Sequence, residues 1–361
     1  MAEQVFSHGF GSDEFVDAIS ARPLSQSDAS SRLLAVAVST LESNLWGGGV
    51  ALLDGVSGQR LGGVARVAAG VSALAWTGDA ADLLVFGCDN GDVRLMRLST
   101  DSETEEFVLE PVASAGETIG HDDVVTCAAA SAMEKTIFAT AGWDLTVKLW
   151  DVTAMDKTLT TLDGHSDLIW DLVQSPQEAH VLASASQDAT VQLWDDRDVV
   201  QRAHSTLPTN AMAALALDWH AVQSHLISVG LENGDVLSFD TRATKTPLTS
   251  VVRTGLALGT IFSSANSWPV GISVSEGAIH SVQYSPTASD LLAAGSDDAT
   301  VSLVTNGSSP DAFVQPLASS PVHQDYVRAL AWYSMPDSPQ QPVLATGSWD
   351  HSLRVWRLAD L

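Results

Sequence analysis

His165 and Asp188, with Ser184 and Ser186 between them and Trp194 behind, are residue types that could do chemistry. A histidine near a carboxylate is the pairing used in general acid–base catalysis. The set is not unique in the chain. His121, Asp144 and Trp150 repeat it upstream, and His323, Asp350 and Trp356 repeat it downstream. From His121 to Asp151 is 30 positions, and so is from His165 to Asp195. A set that returns in register belongs to a repeated structural unit, so no catalytic residue is predicted and no enzyme is expected. The ten histidines are otherwise scattered and form no metal-ligand cluster. No glycine-rich phosphate loop or nucleophile elbow stands out, and no cofactor or metal is expected.

The elements that must position these residues are clearest between Gly164 and Arg197. There LIWDLVQS alternates apolar and polar residues as a half-buried strand does, Ser175-Pro176 marks a turn, and VLASASQ and VQLWD supply two further short strands. The opening Gly164-His165 and the closing Trp194-Asp195 resemble the signature of the WD40 repeat. That resemblance implies one propeller blade per unit, with His165, a strand serine (Ser184 or Ser186), Asp188 and Trp194 hydrogen-bonded in series. The equivalent sets are His121, Asp144, Trp150 and His323, Asp350, Trp356. Their chemistry suits the task, because buried polar groups need partners and an indole N–H is a donor only.

Seven such units fit along the chain, counting residues 32–61 as the first, and they predict an all-β, seven-bladed WD40 β-propeller. Asn90-Gly91 and Asn233-Gly234 read as tight hairpin turns. The fifth unit has Phe239-Asp240 in place of Trp-Asp; in the sixth, Ser275 takes the place of the histidine, Asp298 that of Asp188 and Val304 that of the tryptophan. The chain divides into an N-terminal segment, residues 1–13, and a single propeller, residues 14–361, with an insertion at about 253–271. The last unit supplies only three strands, so the N-terminal segment, around Gln4 to Phe10, is expected to add the fourth and close the ring. An open array would leave two exposed sheet edges.

Seventeen Lys and Arg stand against 44 Asp and Glu, a formal net charge of −27. A field of that sign repels phosphate backbones and attracts basic proteins, which argues against nucleic acid as a ligand. No run of about 18 apolar residues occurs, so no membrane span is predicted. The acidic start MAEQVFSHGFGSDEF has neither a basic region nor an apolar core, and predicts neither secretion nor a mitochondrial transit peptide. Cys88 and Cys127 fall in different units and read as reduced core thiols.

One aromatic stands apart. Trp46 sits in LESNLWGGG, read as a loop longer than the equivalent turns, with Gly47-Gly48-Gly49 behind it as a hinge. An exposed indole there would be a protein-binding anchor, flanked by Asn44 and Leu45. The stretches LLAVAVSTLESNLWGGGVALLD, AAGVSALAWTGDAADLLVFGCDNGDVRL, GHDDVVTCAAAS and HQDYVRALAWYS, with GSWDH, resemble the methylosome protein 50 family in collinear order. These are propeller partners of the type II protein arginine methyltransferase. The resemblance implies a non-catalytic cofactor subunit that inserts an aromatic of the first blade, matched here by Trp46, into the enzyme and helps present histones or other Arg-rich proteins. It also implies a place in cytoplasm and nucleus. Glu117, Asp122, Asp123 and Asp167, on loops of the face expected to carry Trp46, are candidate contacts for such cationic substrates. Two other readings stay open. Trp194, Asp195 and Arg197 resemble the WDxR box by which some propellers dock as substrate receptors of cullin ubiquitin ligases, and the charge would also suit a histone-binding propeller acting alone.

Overall fold

The structure is a computed structural model that describes residues 2–23, 32–42, 45–102, 106–115, 119–197, 203–242, 272–288, 290–305, 313–335 and 338–358. The expected insertion at 253–271 lies outside the described residues.

The second strand of most units is largely apolar and buried. Leu83–Cys88, Leu226–Leu231 and Leu291–Ser296 are buried along their whole length. Strands covered on both faces lose the polar alternation of a one-sided sheet. The cover comes from neighbouring sheets. The described strands form seven four-stranded antiparallel sheets, each following chain order from an inner to an outer strand, except that the last is completed from the N-terminus. The inner strands are Glu14–Ala21, Val71–Thr77, Val125–Ala130, Ile169–Gln174, Ala214–Trp219, Ile279–Tyr284 and Val327–Met335, which open blades 1 to 7. Blade 1 thus begins at Glu14 rather than near Arg32, and its outer strand is Ala65–Val67.

The hydrophobic core is divided in the same way. Each of its seven clusters joins two adjacent blades; Phe86 and Trp76 pack on Val50 and Leu52 between blades 1 and 2, and Val16 and Leu34 pack on Val343 and Val355 between blades 1 and 7. Among the described residues no blade has a core of its own, so the ring is stable only when closed. Side chains add polar ties across the seams. The Asp171 carboxylate accepts the Leu217 N–H at 2.8 Å, and Gln283 Oε1 accepts the Trp332 N–H at 2.9 Å. Asp218 does the same for Tyr284. Tyr333 Oη donates to the Gly55 carbonyl at 2.7 Å across the closing seam.

Closure is made by Ala2–Gly9, which pairs antiparallel with Ser352–Leu358 from Ala2 opposite Leu358 to Gly9 opposite Ser352. Phe10 N–H extends the pairing to the His351 carbonyl at 2.8 Å. Phe6 packs on the cluster between blades 1 and 7. Deleting residues 1–12 should therefore lower the melting temperature by at least about 5 °C and favour self-association through the bared edge of Ser352–Leu358. Differential scanning calorimetry with light scattering checks this, and an unchanged melt would show that the strand does not close the ring.

Candidate protein-interaction face

The recurrent polar sets lie at one end of the ring, where the turn between the second and third strands of a blade meets the loop that leads into its first strand. In blade 4 the Trp194 Nε1–H donates to Ser184 Oγ at 2.8 Å, Ser184 Oγ lies 2.7 Å from His165 Nε2, and His165 Nδ1 lies 2.8 Å from Asp188 Oδ2. The indole can only donate and the carboxylate can only accept, so the series runs one way and places the histidine proton on Nδ1. Ser184, not Ser186, is the member of the series; Ser186 Oγ donates to the Asp167 carbonyl instead. Blade 3 builds the same series from Trp150, Thr140, His121 and Asp144, and blade 7 from Trp356, Thr346, His323 and Asp350. All three histidine side chains are fully buried.

Blades that lack a member substitute for it. In blade 6 the Ser275 hydroxyl donates to Asp298 and lies 2.6 Å from Ser296 Oγ, with Val304 in the tryptophan position. In blade 5, where Phe239 stands for tryptophan, Ser228 is satisfied by Ser238 at 2.8 Å and by Tyr284 Oη of the next blade at 2.6 Å.

Each network aspartate also shapes the turn it sits in. Leu145, Ala189, Ala299 and His351, the residues after Asp144, Asp188, Asp298 and Asp350, have φ between 62 and 67°, a left-handed conformation that costs a side-chain-bearing residue about 1–2 kcal/mol. The carboxylate holds the turn by accepting the N–H and hydroxyl of the next residue, at 3.0 and 2.6 Å from Thr190 in blade 4. Its other oxygen accepts the loop amide of Ser166 at 3.1 Å.

A second pattern places functional side chains. Every inner strand carries a β-bulge near its start, and the unpaired residue is Asp17, Ser72, Thr126 or Trp170 in blades 1 to 4, then Leu215, His280 or Arg328. A bulge re-aims the side chain it frees, and all seven line the central channel. Above them stands a tier of residues that begin the turns: Asp89, Trp143, Gln187, Asp297 and Trp349. The tiers interlock. Trp170 Nε1–H donates to Gln187 at 2.8 Å, His280 lies 3.1 Å from Asp297, Trp349 Nε1–H donates to Asp17 Oδ1 at 2.9 Å, and the Arg328 guanidinium sits over Trp349, 5.5 Å from its ring centre. Sequence reading missed this mouth. Its signal is a triplet at the start of each unit, an apolar residue, then a varied one, then a small or short one: Val-Asp-Ala, Val-Ser-Ala, Val-Thr-Cys, Ile-Trp-Asp, Ala-Leu-Ala, Ile-His-Ser and Val-Arg-Ala.

Trp46 borders the same mouth and is 51% exposed. It is not on a long loop. Leu33–Glu42 and Leu45–Asp54 form a continuous hairpin, with Leu41 opposite Trp46 and Glu42 opposite Leu45, so the indole sits near the tip of a two-stranded arm. The three glycines are strand residues rather than a hinge. A Cβ at Gly48 would lie 2.7 Å from the Val38 carbonyl, and one at Gly49 would lie 2.6 Å from that of Ala65, so neighbouring chain passes too close for a side chain. Leu45 lies in this arm, while Asn44 and Glu117 are outside the described residues. Asp122, Asp123 and Asp167 are exposed on the loops of this face. Asp123 and Asp167 each accept the next backbone N–H at 2.8 Å, which fixes their loops and leaves the second oxygen to solvent.

Arg197 folds back on Asp195, its Nε 2.8 Å from Oδ1 and its Nη2 2.6 Å from Oδ2. Arg242 clasps Asp240 in blade 5 in the same way, which makes the pair a recurring turn lock. Cys88 and Cys127 are buried free thiols in separate blades, and burial raises both, Cys88 to about 12.

The WD40 family model, described as WD domain, G-beta repeat, matches residues 114–151, 156–195 and 314–357. These are the units of blades 3, 4 and 7, the three that hold the full Trp–hydroxyl–His–Asp series. Three blades thus carry WD40 repeats, and the architecture is a seven-bladed WD40 β-propeller closed by its N-terminal strand. Propellers of this kind generally act as non-catalytic scaffolds for protein–protein interaction, and what this one binds must be argued from its face.

Titration separates two sets of buried carboxylates. Burial pushes Asp144 and Asp188 up, but the hydrogen bonds from the histidine and the turn outweigh it and hold both at about 2. Burial dominates at Asp171 and Asp218, pushed up to about 7 against the backbone N–H bonds they accept. The depressed pair contributes stability above pH ~4 that is lost as pH falls towards about 2; the raised pair contributes stability below ~4 that is lost as pH rises through about 7. The melting temperature should therefore be highest near pH ~4 and decline on both sides, with Asp188→Asn flattening only the acid limb. A melt series from pH 3 to 9 that rises steadily, or an acid limb untouched by Asp188→Asn, would contradict this assignment.

Proposed function

We propose that this propeller is the non-catalytic partner of a type II protein arginine methyltransferase, acting in cytoplasm and nucleus, that engages the enzyme through Trp46 and presents histones or other Arg-rich proteins on its acidic face. The observation that carries the reading is the Trp46 indole, half exposed near the tip of a two-stranded arm of blade 1. A side chain of this kind can bury about 150–250 Å² on a partner, and tryptophan is enriched among interface hot spots. The position matches the anchor implied by the resemblance to methylosome propellers. The net charge of −27 supports the second half, since it concentrates cationic segments near the face without a deep pocket for each. The ubiquitin-ligase reading has no such support, because Arg197 is engaged by its own turn. A histone-binding propeller acting alone would leave the exposed indole without a use.

The test is co-purification from cells with the tagged chain. Wild type should recover an arginine methyltransferase in a large assembly, and Trp46→Ala should lose roughly 2–4 kcal/mol of that affinity with an unchanged melting temperature. Undiminished recovery by the folded variant would retire the anchor.

A further inference from the structure

The two tiers enclose a cavity of about 550 Å³ at the mouth of the central channel. Its walls are aromatic. Trp143 and Trp170 meet edge to face with ring centres 5.7 Å apart, Trp349 meets Phe15 at 5.9 Å, and Trp46 stands at the rim. Its charged lining groups are Asp17, Asp89 and Arg328. The Asp89 carboxylate makes no hydrogen bond or ion pair with any described residue. Asp17 gives one oxygen to Trp349, and its other oxygen is buried without a hydrogen-bond partner. The one cation among the described lining residues, Arg328, is already stacked on Trp349 and lies in the fields of Asp17 and Asp297. The mouth therefore has acceptors to spare, inside a chain of net charge −27.

We propose that this mouth binds an arginine side chain carried on an exposed segment of a partner protein, its guanidinium packed against the indoles and hydrogen-bonded by Asp17 and Asp89. Arginine fits better than lysine for physical reasons. The guanidinium is flat, stacks on aromatic faces, sheds water more readily than an ammonium, and has five N–H donors that can reach two carboxylates at once. Ser39 and Ser72 also line the cavity, the Ser72 hydroxyl already donating to the Val125 carbonyl. The inference deepens the substrate-presenting half of the proposed function and rests on that half alone; it needs no particular enzyme.

The test titrates the purified full chain with a synthetic Gly-Arg-Gly repeat peptide, read by tryptophan fluorescence and calorimetry. Peptides with each arginine replaced by citrulline or by lysine run alongside. Citrulline keeps the shape and removes the charge, and should bind at least about tenfold more weakly; lysine should bind about fivefold more weakly. Asp89→Asn, at a surface turn, should weaken the arginine peptide by about tenfold or more, whereas Asp156→Asn, which removes the same charge from an exposed turn between the third and outer strands of blade 3, should change it by less than about twofold. Equal binding of the citrulline or lysine peptide, an Asp89→Asn variant as tight as wild type, or equal losses in the two variants would each overturn the site. Co-purification separates this from the methyltransferase reading. Asp89→Asn should still recover the enzyme, and citrulline-sensitive binding by a chain that recovers no methyltransferase would sustain the site while refuting the partner.

Discussion

Three buried carboxylates hold one end of this ring in shape. Asp144, Asp188 and Asp350 each stand where two separate segments of a blade come together, and each takes donors from both. Behind them the series of histidine, hydroxyl and indole continues to the middle of the sheet, so the loop, the turn and the third strand are tied by one directed chain of hydrogen bonds. Such a chain works because every member is satisfied; a buried donor left over would cost about 1–3 kcal/mol. It also sustains a left-handed residue in each turn that the local sequence alone would disfavour.

That rigidity is what allows the mouth of the channel to be built from unrelated side chains. The cores between blades demand Val, Ile, Leu and small residues at fixed positions, and the bulge in each inner strand releases one position from that demand. Asp, Ser, Thr, Trp, Leu, His and Arg occupy the seven released positions. Function can vary there without repacking a seam. Burial lowers the His280 pKa, partly offset by its bond to Asp297, so the mouth gains no second cation near neutral pH.

The fold was legible because a propeller repeats. The equal spacing of His121 to Asp151 and His165 to Asp195 announced the unit, and even the degenerate sixth blade aligned, with Ser275, Asp298 and Val304 falling where the repeat placed them. The missing fourth strand was legible too, from the simple need to pair an edge. The arm bearing Trp46 was harder. Three consecutive glycines read as freedom, whereas here they mark crowding, and only the position of the neighbouring backbone distinguishes the two. Ser184 and Ser186 lie on the same face of one strand, and the choice between them needed the cross-strand register, which puts Ser184 two places and Ser186 four places from the partner of Trp194. The channel mouth escaped because its residues share a place in the repeat but no chemical type, and a bulge breaks the period by which strands are read.

The claim on which the account depends is that the network aspartates clamp their loops as firmly as a strand is held. Native-state hydrogen exchange on the amides of Asp122, Ser166 and Gln324 measures this directly, since each of these exposed loop residues donates its N–H to a network carboxylate, at 3.2, 3.1 and 3.0 Å. All three should exchange only with opening of their blade, and Asp188→Ala should free Ser166 while leaving Asp122 and Gln324 protected. Exchange of all three at the rate of an unstructured loop in the wild-type chain would contradict it.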